Sequence, residues 1–192
     1  MNKNKILPRA YLFPMPVALI GANVKGKPNF ETLAYVGIVE SQPPLISIAS
    51  YETHYTNIGI KENKTFSVNT PSEDLAEVID YCGIVSGKEI DKSEIFEIFY
   101  GDLKTAPMVS VSPLNLECMV IHSFKMKELV EIEEGHEIFI GQIVNAYADE
   151  NYLTEGTPDI TKFKTYTYSI NNYWKVGEKL APAFEIGKKY KK

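Results

Sequence analysis

Over most of the chain, apolar and polar residues alternate with a period of two, the pattern of strands that bury one face. The clearest stretch is 114–126, where Leu114, Leu116, Cys118, Val120, His122, Phe124 and Met126 hold alternate positions and all but His122 are apolar. That face is expected to look inward. Segments 17–23, 32–39, 45–50, 65–69 and 137–148 also read as strands. The last is apolar on both sides, with Ile138, Ile140, Val144 and Ala146 on one and Phe139, Ile143 and Tyr147 on the other. A strand of that kind needs a second layer or a second subunit over it.

Helical periodicity is scarcer. Ser72 is a plausible N-cap, followed by Glu73 and Asp74 in a first turn that favours negative charge. Leu75, Val78, Ile79 and Cys82 then recur at helical spacing, and Gly83 ends the helix. Shorter helices are expected over 56–63 and 91–99, the latter with Ile95, Ile98 and Phe99 inward. The fold class that follows is mainly β with helical insertions, an antiparallel barrel closed or nearly closed. No linker divides the chain, so 1–192 is expected to be one domain. Its last part, 158–192, is an aromatic extension (Tyr166, Tyr168, Tyr173, Trp174, then Ala181, Pro182, Ala183 and Phe184) expected to pack on the barrel or on a dimer partner.

At 192 residues the chain can bury a full core without disulfide staples. Twenty basic against twenty-five acidic residues give a net charge of −5, with Arg9 the single arginine, which excludes the clustered positive charge of a nucleic-acid binder. The run Lys188, Lys189, Lys191 and Lys192 reads as a solvated tail. No apolar stretch approaches the roughly 18 residues of a membrane span. The basic Met1–Lys5 segment is followed by Pro8, Arg9, Pro14 and Pro16 without a small-residue cleavage site, so no membrane partner and a cytoplasmic location are expected. Cys82 and Cys118 lack a CxxC partner and read as buried thiols. No GxSxG, HExxH, Walker or GxGxxG motif occurs, and His54, His122 and His136 are too widely spaced for a helical metal pair. Neither a metal nor a catalytic side chain is expected.

Segment 43–58, PPLISIASYETHYTNI, launches a strand from two prolines and ends in Ser, Thr and Tyr hydroxyls just before a helix. Such a turn offers donors to a phosphate. It reads equally as Thr56 capping the helix while Ser50 and Thr53 close a turn. Further on, YCGIVSGKEIDK (81–92) breaks a helix into a glycine-containing loop ending at Lys92. Taken in order with PVAL (16–19), NFETLAY (29–35), FSVN (66–69) and LEC (116–118), these segments resemble the flavin reductase-like family, in particular its flavoredoxin branch. The resemblance runs from about Pro16 to Gly141, with a looser match in the aromatic tail.

The resemblance implies an FMN-binding split barrel working as a homodimer, with the flavin between barrel and partner subunit. It casts Ser50, Thr53, Thr56 and Asn57 as phosphate or ribityl contacts and Lys92 as the cation facing the phosphate, which an acidic protein needs for a dianionic ester. Asn29, Thr32, Ala34 and Tyr35 would meet the isoalloxazine edge, with Ser47 and Ile48 lining its face; Tyr35 stands where relatives often carry Trp. His136 corresponds to a family histidine near the flavin, and Tyr166 and Tyr168 to the aromatic stretch that closes over it. The implied activity is an oxidoreductase passing electrons from NADH, NADPH or a reduced carrier protein through FMN to a small-molecule or protein acceptor. Since the flavin carries the electrons, no side-chain nucleophile is required. An FMN-bearing electron carrier that ignores nicotinamide is the alternative. A barrel that has lost its flavin is a third reading, opposed by Lys92, Thr56, Asn57 and Asn29.

Overall fold

The computed structural model describes residues 2–190, so Met1 and the tail lysines Lys191 and Lys192 lie outside the described residues. In chain order the strands are β1 (Met15–Pro16), β2 (Ala18–Val24), β3 (Lys27–Leu33), β4 (Val36–Ser41), β5 (Pro44–Tyr51), β6 (Thr65–Thr70), β7 (Ile98–Phe99), β8 (Met108–Val109), β9 (Leu114–Lys125), β10 (His136–Ala148), β11 (Leu153–Thr154), β12 (Thr157–Pro158), β13 (Tyr166–Ser169) and β14 (Asn172–Lys175). The α-helices are α1 (Thr56–Asn63), α2 (Ala76–Ile84) and α3 (Ile160–Phe163). None of the described helices is long and apolar enough to cross a membrane.

Seven strands form one antiparallel sheet in the order β3-β2-β6-β9-β10-β5-β4. Its outermost strands, β3 and β4, are consecutive in sequence, so the short link through Ala34 and Tyr35 draws the two ends of the sheet together. The sheet therefore curls into a barrel, split where β3 faces β5 without a hydrogen-bonded ladder. Its interior is filled by Ala18, Ile20 and Ala22 of β2, Ile46 and Ile48 of β5, Phe66 and Val68 of β6, Cys118 and Phe139, with Ile60 of α1 among them. A second cluster sits outside, where α2 places Ile79 and Cys82 on Leu19 and Phe30, joined by Val17, Val109 and Tyr166. β2 is thus buried on both faces.

Several elements differ from the pattern of the sequence. The expected strand 32–39 is divided: β3 already starts at Lys27, after a turn in which Lys25 and Gly26 both take positive φ (53° and 79°), the geometry of a tight hairpin. β4 begins only after Tyr35, whose carbonyl accepts the Ala49 N–H at 2.9 Å. The expected helix 91–99 shrinks to a 3-10 turn, Lys92–Ile95, capped by Asp91. Helix gives way there because Phe96 is drawn edge-on against Phe30 in the outer cluster, and Ile98 and Phe99 pair with β8 as a strand. Ser72 makes no side-chain cap; a 3-10 turn, Glu73–Leu75, leads into α2. In β9 the inward face holds for Leu116, Cys118 and Val120, but a register shift opposite Ile140/Gly141 turns His122 out to solvent.

On the other side of β9, Glu117 is wholly buried. Its carboxylate accepts the N–H groups of Asp102 (3.1 Å) and Leu103 (3.0 Å), Asn145 Nδ2 (2.8 Å) and the Tyr147 hydroxyl (3.1 Å), fastening the 100–105 loop to the barrel. In the expected extension, β13 pairs with β1 and β14, and Tyr166 enters the outer cluster. Past β14 the chain lies exposed, with Leu180 and Phe184 at 93% and 95%.

α1 reaches its place on β2 through Gly59, where a Cβ would collide with the Asn23 carbonyl oxygen. Alanine would gain up to about 1 kcal/mol of helix propensity but force the helix off the strand. Gly59→Ala is expected to destabilise the fold by about 1–3 kcal/mol, read as a lower urea midpoint at unchanged slope.

Candidate functional site

A cleft follows the split of the barrel, between β3 with the end of α2 packed on it on one side and β5 with α1 on the other. It has two compartments that share Thr32, His54, Gly83 and Ile84. One, of about 280 Å³, is lined by polar groups from β3, the turn before α1 and the loop after α2. The other, of about 340 Å³, is walled by rings: Tyr35, Tyr51, His136, Tyr168 and Tyr173.

In the polar compartment, Asn29 and Glu31 point the same way because they alternate on β3, and each bridges the split. Asn29 Nδ2 donates to Thr56 Oγ1 at 2.7 Å. Glu31 accepts the Ser50 hydroxyl at 3.0 and 3.1 Å and meets His54 Nδ1 at 2.5 Å. Gly87 sits so close to the Asn29 side chain and the Tyr55 ring that any Cβ would clash with them. Lys92 is only 3% exposed, and its ammonium donates to the carbonyls of Cys82 and Val85 at the end of α2, both at 2.8 Å. Those bonds use two of its three donors. Burial lowers the Lys92 pKa, and nearby Cys82 and Glu31 partly restore it. Burial likewise pushes the Cys82 thiol up to about 11, so it stays protonated. Among the described residues the backbone N–H groups of Thr53, Tyr55 and Thr56 find no acceptor. A desolvated cation beside free N–H groups at the start of a helix suits an anion.

In the ring compartment, His136 lies 5.3 Å from Tyr35 and 5.5 Å from Tyr51, centroid to centroid. Burial lowers its pKa, and the charge of His54 lowers it further. The outer wall is β13 and β14, where Tyr168 and Tyr173 lean together and the Tyr173 hydroxyl donates to Asp80 Oδ1 of α2 at 2.7 Å. Flat aromatic walls with few polar groups suit a planar ring.

Of the residues expected from the sequence, Asn29, Thr32, Thr53, Thr56 and Lys92 line the polar compartment, and Thr32, Ala34, Tyr35, His136 and Tyr168 the ring compartment. Ser47 and Ile48 line neither. As neighbours on a strand they point to opposite faces: Ile48 into the barrel core, Ser47 outward with its hydroxyl on the Gly37 carbonyl at 3.2 Å. Ser50 and Asn57 are buried behind the cleft, Ser50 on Glu31 and Asn57 Nδ2 on the Tyr51 carbonyl at 2.9 Å. Tyr166 lies under Tyr173 in the outer cluster rather than on the cleft. Thr56 is the first helical residue of α1, with Tyr55 at the cap position, so the capping role read for it from sequence does not hold.

Sequence reasoning missed Glu31, His54, Tyr51, Asp80 and Tyr173. The signal for the first was a carboxylate flanked by Phe30 and Thr32 in the middle of a strand, NFETL, which demands a partner once buried.

Glu31 holds His54 above the ordinary imidazole value of 6.5, against the opposing effects of burial and of Lys92. The protonated pair therefore contributes stability that is fully present below about pH 6.5 and lost as pH rises through the elevated folded value. His54→Gln should cost most stability in mildly acidic buffer and nothing in alkaline buffer, by urea melts across pH. A constant difference would exclude the ion pair.

The chain matches the family described as "Flavin reductase like domain" over residues 10–173. A flavoredoxin from Methanosarcina acetivorans is 43% identical, superposes with a TM-score of 0.91, and the match covers 98% of this chain and 99% of that one. The flavoredoxin of Desulfovibrio vulgaris (Miyazaki F) is 32% identical with a TM-score of 0.87, covering 97% and 100%. An uncharacterized protein of Archaeoglobus fulgidus is 30% identical over 153 residues, 78% of this chain and 81% of that protein. With this fold, this cleft and these relatives, the chain belongs to the flavin reductase-like family.

Proposed function

We propose that the chain is a flavin-dependent oxidoreductase that binds FMN along the split of the barrel. One observation carries this reading: a buried lysine and acceptor-free N–H groups stand at one end of a continuous cleft whose other end is walled by aromatic rings. Phosphate, ribityl chain and planar ring are arranged along FMN in that same order. Lys92, Thr53 and Thr56 would hold the phosphate; Asn29 and Thr32, the ribityl chain and the near edge of the ring; and Ala34, Tyr35, His136 and Tyr168, the ring itself. Ser50, Asn57 and Tyr166 act from behind, Ser50 by fixing Glu31 and Tyr166 by supporting Tyr173. Bound there, FMN would supply two-electron chemistry, and the protein supplies binding, orientation and exclusion of water.

The ring compartment opens toward the outer face of the sheet. Ala49, which lines it, pairs with Ile138, and the same face continues through half-buried Ile140 to Met119, with Ile121 beside it, the latter two 42% and 50% exposed. A second copy of the chain seated there would cover this apolar surface and border the ring compartment on that side. The homodimer predicts sedimentation at twice the chain mass at micromolar concentration; a monomer would exclude it. Electrons would come from NADH, NADPH or a reduced carrier protein. An open ring face after dimerisation favours a nicotinamide, and anaerobic bleaching of the yellow protein by either nucleotide distinguishes the enzyme from a pure electron carrier.

Lys92→Met should weaken FMN by about 1.5–3 kcal/mol, the worth of a charge-assisted hydrogen bond. Riboflavin, which lacks the phosphate, should bind the variant and the parent alike. Fluorescence titration with both flavins makes the comparison, and equal losses for the two would remove Lys92 from the phosphate site.

A further inference from the structure

Glu31 and His54 stand where the two compartments meet, and the grip on phosphate and ring described above uses neither. Glu31 is 6% exposed, and among the described residues its carboxylate meets only the Ser50 hydroxyl and His54 Nδ1. Lys92 is near enough to feel its charge but bonds to main-chain carbonyls instead. A buried carboxylate without a counter-ion is costly, so the imidazole is its cation. With Nδ1 engaged, Nε2 is without a partner among the described residues, on a ring that lines both compartments. The charges that face His54 are Glu31 on β3, Lys92 from the 92–95 turn, Lys88 of the loop after α2, His136 on β10 and Asp80 of α2. Glu52, its neighbour in the chain, is taken up by Lys125 and Lys127, and Tyr51 by Glu134.

Resting on the reading that this cleft holds FMN, we propose that Glu31 and His54 form a charge-compensating pair that stabilises the reduced flavin over the oxidised one. Two electrons and one proton delivered to a flavin leave one additional negative charge on the ring system. The imidazolium at the seam offsets that charge, and no bond to His54 forms or breaks. The electrons come from the nicotinamide or carrier protein of the proposed function, and the proton from that donor or from water. Linkage is reciprocal: if protonated His54 favours the reduced flavin, reduction raises the proton affinity of His54. The midpoint potential should therefore fall more steeply with pH across the ionisation of His54 than on either side of it.

The test measures FMN affinity and, by spectroelectrochemistry with mediator dyes, the potential of the bound flavin from mildly acidic to alkaline pH. It compares the parent chain with His54→Gln, His54→Lys and Glu31→Gln. In acidic buffer His54→Gln should weaken reduced FMN about tenfold more than oxidised FMN, a potential about 30 mV more negative for a two-electron couple. The difference should vanish above the ionisation of His54. His54→Lys, charged throughout, should lose the steep segment, its potential falling at every pH only with the single proton that the flavin itself takes up. Glu31→Gln should move the steep part of the curve to lower pH, and a histidine NMR titration of the protein without FMN should show His54 ionising lower in that variant. Equal potentials for the parent and His54→Gln at every pH would overturn the pair and leave the flavoprotein standing. So would equal weakening of both redox forms, the mark of a structural role. A parent chain that takes up no FMN would overturn the proposed function and this inference with it.

Discussion

A sheet whose two outer strands are neighbours in sequence leaves a seam, and side chains hold that seam. Between β3 and β5 no ladder forms; Glu31 reaches Ser50 and His54, and Asn29 reaches Thr56. An apolar seam would have sealed the barrel and left no cleft. A polar one closes the fold with a few directional bonds and keeps donors and acceptors facing the space between. These bonds also fix where α1 starts, and so where its acceptor-free N–H groups lie. Because Glu31 is buried and receives bonds from two directions, its loss would free Ser50, release His54 and unseat the turn that precedes the helix.

Much of this was legible in the sequence. The strands over 45–50, 65–69 and 114–126 are found within a residue or two, because a half-buried strand writes its face into alternate positions. Asn29, Thr32, Ala34, Tyr35 and Lys92, drawn from motifs distant in sequence, line one cleft. What was not legible depends on partners distant in sequence. Ile95, Ile98 and Phe99 have helical spacing, yet Phe96 is recruited by Phe30 and Ile98 and Phe99 by β8, so tertiary contacts override local preference. Ser47 and Ile48 were assigned to one surface although adjacent strand residues divide between two. His122 fits a perfect alternation, and only a register shift in β9, invisible in a single strand's pattern, moves it to solvent.

Lys92 serves two ends at once. Its bonds to the Cys82 and Val85 carbonyls satisfy the C-terminus of α2, where a cation is favoured by the helix dipole. Both bonds hold the ammonium in a single pose, so its remaining N–H is aimed before any anion arrives. Order of this kind lowers the entropy lost on binding. Gly87 contributes in a different way, because its missing side chain lets the loop after α2 rest directly on Asn29 and Tyr55.

The hairpin of β13 and β14 is attached differently from the rest. It joins the rest through the two residues of β1, the buried ring of Tyr166 with Tyr168 beside it, the bond from Tyr173 to Asp80 and the exposed ion pair of Lys175 with Glu73. Its turn places Ile170 and Asn171 at φ of 47° and 59°, a conformation that a β-branched residue adopts only at a cost. The seven-stranded sheet shares no hydrogen-bonded ladder with it. This hairpin is therefore held by side chains rather than by a ladder to the main sheet, the kind of attachment from which local opening starts. Since it carries Tyr168 and Tyr173, the outer wall of the ring compartment belongs to a different sheet from the rest of the cleft, while the polar compartment is built on the seam of the barrel itself.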